Sequence, residues 1–153
     1  MKGRNRNVRA VTLEGKGLLT LKDYPYPELQ KGCAIIKMEY SGICGTDKHS
    51  FEGFFEQKGG RPIPLPVIQG HENVGIIEEI EGELLDHDGN KLKIGDRVVP
   101  APNISCGKCY ACRNNRPYYF CKCKLDYGNN IGAGDPPHIF GGWSEYLYIL
   151  PGS

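Results

Sequence analysis

Charge of one sign is missing from this chain. Nineteen Lys and Arg offset eighteen Asp and Glu, for a formal net charge of +1. The charges are interspersed, so no field exists to gather a phosphate backbone or a headgroup layer. That argues against nucleic-acid and membrane partners. Long apolar runs are missing too, and no stretch approaches membrane-spanning length. Lys2, Arg4 and Arg6 are the closest thing to a basic run. No apolar segment follows them, so they read as a solvated tail and not as a secretory leader. Long amphipathic helical patterns, internal repeats and low-complexity tracts are absent. So is the Gly-x-Gly-x-x-Gly fingerprint of a nucleotide-binding turn. Gly132-Ala-Gly134 is followed by Asp-Pro-Pro, which cannot open the helix that such a turn requires.

What is abundant is punctuation. The 21 Gly and 11 Pro are scattered and break the chain into short segments. Val8–Leu13 and Leu18–Lys22 read as strands joined at Gly15-Lys-Gly17. Tyr24-Pro-Tyr-Pro27 reads as an extended break. Ala34–Tyr40, Asn73–Ile80, Val98–Pro100 and Trp143–Leu150 read as further strands, and Asp88-Gly-Asn as a hairpin turn. Thr46–Phe51 reads as a short helix with Thr46 as its cap. Pro62, Pro64 and Pro66 make their stretch extended and unfit for a central strand. Tyr127–Pro137 reads as a loop. The sum is a mainly β domain, a closed or partly open barrel with short helices.

Cysteine is the most telling residue. Five of the seven lie between Cys106 and Cys123. Cys106, Cys109 and Cys112 are spaced by two residues each, and eight residues intervene before Cys121. An odd count, paired short spacings and no leader favour a metal in a reducing compartment over disulfides. Four thiolates would saturate a zinc ion, which makes that site structural. Cys121 is favoured as fourth ligand, with Cys123 as its competitor. Cys33 beside a strand start reads as core, and His87 and His138 carry no assignment.

Two quieter groups follow. Gly42-Ile-Cys44-Gly-Thr46-Asp47-Lys-His49 and Gly70-His71-Glu72 together offer a thiolate, an imidazole and a carboxylate. That is an incomplete ligand set, of the kind an open catalytic zinc needs. Each residue also has a plain reading: Thr46 as a helix cap, Asp47 as a first-turn carboxylate, Glu72 as a solvated acid.

These motifs occur here in a fixed order, followed by Gly95-Asp-Arg-Val98, the cysteine lobe at about 104–124 and Gly141-Gly-Trp-Ser-Glu-Tyr146. From about Val8 to the last residue, the chain resembles the GroES-like catalytic domain of zinc-dependent medium-chain alcohol and polyol dehydrogenases. The lobe is one residue longer between Cys112 and Cys121 than in many members. The resemblance implies Cys44 and His71 as catalytic-zinc ligands, with Glu72 as a direct or alternating ligand. It implies Cys106, Cys109, Cys112 and Cys121 around the structural zinc. It implies Thr46 as the hydroxyl that takes the substrate proton, His49 as the surface end of that relay, and Asp47 as the carboxylate that orients a ligand imidazole. The expected chain is one domain, 1–153, that lacks a nucleotide-binding Rossmann domain. It is expected to be inactive alone. In the full-length protein, expected to be a cytoplasmic homo-oligomer, it would oxidise a small alcohol or polyol with NAD or NADP. The alternative is a stand-alone GroES-like zinc module with a scaffold or partner role.

Overall fold

The computed structural model describes residues 6–54 and 62–153. Lys2 and Arg4 of the basic run lie outside them. Among the described residues nine strands form three sheets. β1 (Asn7–Gly15) lies between β2 (Leu18–Pro25) and β4 (Val67–Ile68). The larger sheet has the order β6 (Arg97–Val98), β5 (Asn73–Glu81), β3 (Cys33–Ser41) and β9 (Tyr146–Ile149), with every neighbouring pair antiparallel. β7 (Asn103–Ile104) and β8 (Leu125–Asp126) make a small ladder at the foot of the cysteine lobe. Helix α1 spans Gly45–Phe51 and α2 spans Tyr110–Arg113, with a 3₁₀ turn at Tyr118–Phe120. Among the described residues no helix is long and apolar enough to cross a membrane.

The two larger sheets meet along the segment just before β9. Ala10 bridges to Ser144, the Val11 N–H donates to the Trp143 carbonyl at 2.8 Å, and the Glu145 N–H donates to the Arg9 carbonyl at 3.0 Å. On its other side the same segment receives the Met38 N–H at the Glu145 carbonyl, 3.0 Å. The regular part of the last strand is therefore Tyr146–Ile149, shorter than Trp143–Leu150, because Trp143–Glu145 turns from one sheet to the other.

Cys33-Ala-Ile-Ile36 are all buried, since β3 is flanked by β5 and β9 and covered on both faces. Such a strand reads as a continuous apolar run, not an alternation. With Val8, Ala10, Ile77, Tyr127, Ile139 and Leu147 these residues form the core.

Beyond the last strand, the local expectations differ from the structure in four further places. β2 continues through Tyr24 and Pro25, paired with Val8 and Asn7. Pro is tolerated there because β2 is an edge strand. The strand near Val98 is Arg97–Val98 and does not reach Pro100. Arg6 is exposed, as expected, but its side chain is tied to the sheets. Its guanidinium pairs with Glu78 at 2.8 Å and stands 4.4 Å from the Tyr146 ring centroid and 5.1 Å from that of Tyr26. The N-cap of α1 is Cys44, not Thr46. Cys44 is extended, and its N–H donates to Asp47 Oδ2 at 2.8 Å, so Asp47 reaches back over the first turn.

Closure depends on two glycines that carry the crossing. A Cβ on Gly141 would overlap the Ile68 carbonyl, and one on Gly142 would overlap Asn73 Oδ1 and Ser41 Oγ. We expect Gly142→Ala to cost about 1–3 kcal/mol and to lower the melting temperature by roughly 3–10 °C. Gly134→Ala, with nothing within 4 Å of its Cβ, should stay within about 0.5 kcal/mol of the parent. Thermal unfolding of both variants decides this, and equal melting points would contradict it.

Candidate metal centres

Residues from two parts of the chain meet at one end of the barrel. Cys44 leaves β3 and starts α1, while His71 and Glu72 sit on the tight bend between β4 and β5. Their ligand atoms lie within 4.8 Å of one another. The bend is held from several sides. Gly42 N–H donates to the Glu72 carbonyl at 2.8 Å, Gly142 N–H to the Gly70 carbonyl at 2.8 Å, and Asn73 Nδ2 to the same carbonyl at 3.3 Å. Gly70 has φ +91°, and a side chain there would meet the Trp143 ring and Ser41 Oγ.

Asp47 lies between these pieces. It is 1 % exposed. Its Oδ2 accepts the Cys44 N–H, and its Oδ1 accepts the Gly70 N–H at 3.3 Å. Oδ1 is also 3.5 Å from His71 Nδ1, a charge contact at the outer limit of hydrogen-bonding distance. Nδ1 is buried and makes no hydrogen bond. Burial alone would raise the Asp47 carboxyl. His71 and the two backbone N–H groups more than offset that, and its pKa falls below the ordinary value. Asp47 in turn, against burial and with help from Cys44, pushes His71 up to about 9. The Cys44 thiol is lowered, first by the Thr46 N–H at the helix start, then by His71 and the Thr46 hydroxyl. Thr46 Oγ1 stands 3.8 Å from Cys44 Sγ. With Cys44 as the cap, this hydroxyl is not used on the helix, and it lines a cleft of about 380 Å³ together with His71. His49 is exposed one turn later on α1 and stacks on Phe54, with ring centroids 4.7 Å apart.

The second group is the lobe. Sγ separations are 3.9 Å for Cys106–Cys112, 3.5 Å for Cys109–Cys112 and 3.9 Å for Cys109–Cys121. Four sulfurs about 2.3 Å from one tetrahedral ion stand about 3.8 Å apart, so the set fits zinc. Cys123 is exposed and stands outside this group. The Lys108 and Cys109 N–H groups bring Cys106 down to about 6. Burial first, and then Cys109 and Cys121, push Cys112 up to about 12. Four thiolates this close repel one another, and a cation relieves that repulsion. Signals for Gln69, Asn73 and Ser50, the polar residues buried around the first group, were absent from the sequence pattern: each is a common residue at no diagnostic spacing.

The Asp47–His71 contact has a pH signature in metal-free protein. A folded-state pKa of about 9 against an ordinary 6.5 means that the pair stabilises the fold fully below pH 6.5. That contribution is lost as pH rises through 9. An NMR titration should place His71 near 9, and Asp47→Asn should bring it down by more than one unit. A value unmoved by the substitution would contradict the contact.

Residues 30–152 match the alcohol dehydrogenase GroES-like domain family. The chain is 32 % identical over 151 residues to the uncharacterized zinc-type alcohol dehydrogenase-like protein AdhB of Bacillus subtilis, covering 93 % of this chain and 36 % of that protein. It is 34 % identical over 134 residues to an L-threonine 3-dehydrogenase of a Marinomonas species, covering 87 % of this chain and 34 % of the relative. It thus spans about a third of the length of these curated relatives. The crystal structure of an alcohol dehydrogenase from Thermotoga maritima superposes with a TM-score of 0.87 at 32 % identity, over 97 % of this chain and 40 % of that one. On the strength of its barrel, its ordered motifs and this match over most of its length, the chain belongs to the alcohol dehydrogenase GroES-like domain family.

Proposed function

We propose that the chain is the metal- and substrate-binding portion of a zinc-dependent dehydrogenase that oxidises a small alcohol or polyol to a carbonyl with NAD or NADP. The observation that carries this reading is the convergence of Cys44, His71 and Glu72 within 4.8 Å, beside a cleft lined by Thr46. These three residues would hold a catalytic zinc, with Glu72 as direct or alternating ligand. When bound, the ion supplies Lewis-acid chemistry that lowers the pKa of an alcohol. Asp47 holds the imidazole in its orientation, as ligand histidines require. Thr46 would accept the alcohol proton, and His49, three residues on, would pass it to solvent. Cys106, Cys109, Cys112 and Cys121 would hold a second zinc with every position filled, which stabilises the lobe and does no chemistry. The nicotinamide cofactor that this activity needs has no binding fingerprint in these 153 residues, so the hydride acceptor would sit on a nucleotide-binding domain outside them.

Metal analysis tests the division of labour. The chain should hold one zinc tightly and a second more weakly. Cys109→Ser should remove the tight ion and unfold the lobe, whereas Cys44→Ser should remove only the weak one. A folded, unchelated protein without zinc would contradict both assignments. With NAD or NADP and a panel of alcohols, the chain alone should give no turnover; steady reduction of the cofactor would overturn that part.

A further inference from the structure

Ser50 stands one helical turn after Thr46 on α1, so the two hydroxyl side chains share a face. Both line the cleft that reaches His71. Ser50 is 4 % exposed, and its Oγ has no hydrogen-bond partner among the described residues. A helical serine can return its hydroxyl to the carbonyl one turn back, and this one does not. Buried polar atoms are nearly always paired, so an orphan facing a cleft points to a missing ligand.

The facing wall of the cleft is polar but saturated. Lys124 Nζ donates to Asp126 Oδ1 at 2.6 Å, to Asp126 Oδ2 at 2.7 Å and to Asn103 Oδ1 at 2.9 Å. An ammonium has three protons, so Lys124 has none left. Asn130 Nδ2 donates to Asp126 Oδ2 at 3.2 Å and fixes that carboxylate. Pro62, Ile63 and Pro102 add apolar lining beside this wall, so the cleft can hold a carbon skeleton as well as hydroxyls. Ser50 is the buried hydroxyl in it that is still unspent.

We propose that Ser50 is a specificity-determining residue that hydrogen-bonds a second hydroxyl of the substrate, so that the cleft takes a 1,2- or 1,3-diol in preference to a simple alcohol. The inference rests on the reading of this cleft as the alcohol site and adds the substrate class to it. Side chains one helical turn apart stand about 5–6 Å from each other at Cβ. With the reacting oxygen at Thr46, a hydroxyl on the next carbon or the one after extends toward Ser50. A simple alcohol presents only C–H groups there and leaves the serine unpaired, which is how a site built for hydrogen bonding rejects an analogue.

The test titrates zinc-loaded chain with glycerol and with 1-propanol, followed by NMR shifts of the cleft residues. Glycerol should bind about five- to tenfold more tightly than 1-propanol. Ser50→Ala should bring the two within about twofold by weakening glycerol alone, and Ser50→Thr, which keeps the hydroxyl, should retain the preference. Equal binding by the native chain would overturn the proposal. So would a glycerol preference that survives Ser50→Ala, as a resident water on Ser50 would produce. Only one zinc per chain, with the Ser50-dependent preference intact, would count against the catalytic metal and would support the role of Ser50.

Discussion

A carboxylate removed from water must be met by donors or by charge, or it will not stay ionised. Asp47 meets that requirement with three groups from two segments: the N–H of Cys44 at the start of α1, and the N–H of Gly70 and the imidazole of His71 on the bend before β5. Each partner belongs to the piece of chain that delivers a candidate ligand. The first fixes how the chain turns from β3 into α1, which aims Cys44. The second fixes the glycine bend that presents His71 and Glu72. The third is the imidazole itself, held in charge contact. One buried acid thereby couples a helix cap, a strand bend and a ligand orientation, and the rest of the site follows from where those three are placed.

The two cysteine-bearing groups differ in how complete their donor sets are. In the lobe, four sulfurs lie within 4.8 Å of one another, the spacing that a single ion needs. Its chemistry is complete once a cation is present. Around Cys44 the ligand set is short and chemically mixed, and it opens onto a cleft with a hydroxyl on its rim. A closed set suits support, and an open set suits reaction. The lobe's ladder, β7 with β8, carries Asn103 and Asp126 into the wall of that same cleft. The lobe therefore shapes the space beside the Cys44 group.

Much of this could be read from the chain itself. The Cys-x-x-Cys spacings survive any detail of folding, because a short turn can only bring such sulfurs together. The long strands β1, β3 and β5 carried enough β-branched residues to be recognised, although their ends moved by one or two positions. What failed was local grammar overruled by tertiary partners. Thr46 looked like a cap because threonine often is one, but Cys44 caps α1 with Asp47 reaching back to it. Tyr24-Pro25 looked like a break, but an edge strand tolerates proline. Arg6 looked like a tail because the two tyrosines and the glutamate it contacts come from distant segments. The orphaned hydroxyl of Ser50 could not be foreseen at all, since being unpaired is a property of the folded surroundings.

Asp47 bonds to the segments that carry Cys44, His71 and Glu72, so its influence should fall on that group and not on the lobe. Competitive zinc titration of the Asp47→Asn chain tests this most directly. Loss of a carboxylate partner to a ligand histidine weakens metal binding by about 10- to 100-fold. That drop is expected for the weaker zinc, with the tight lobe zinc unchanged. Affinities that are both unchanged, or that fall together, would contradict it.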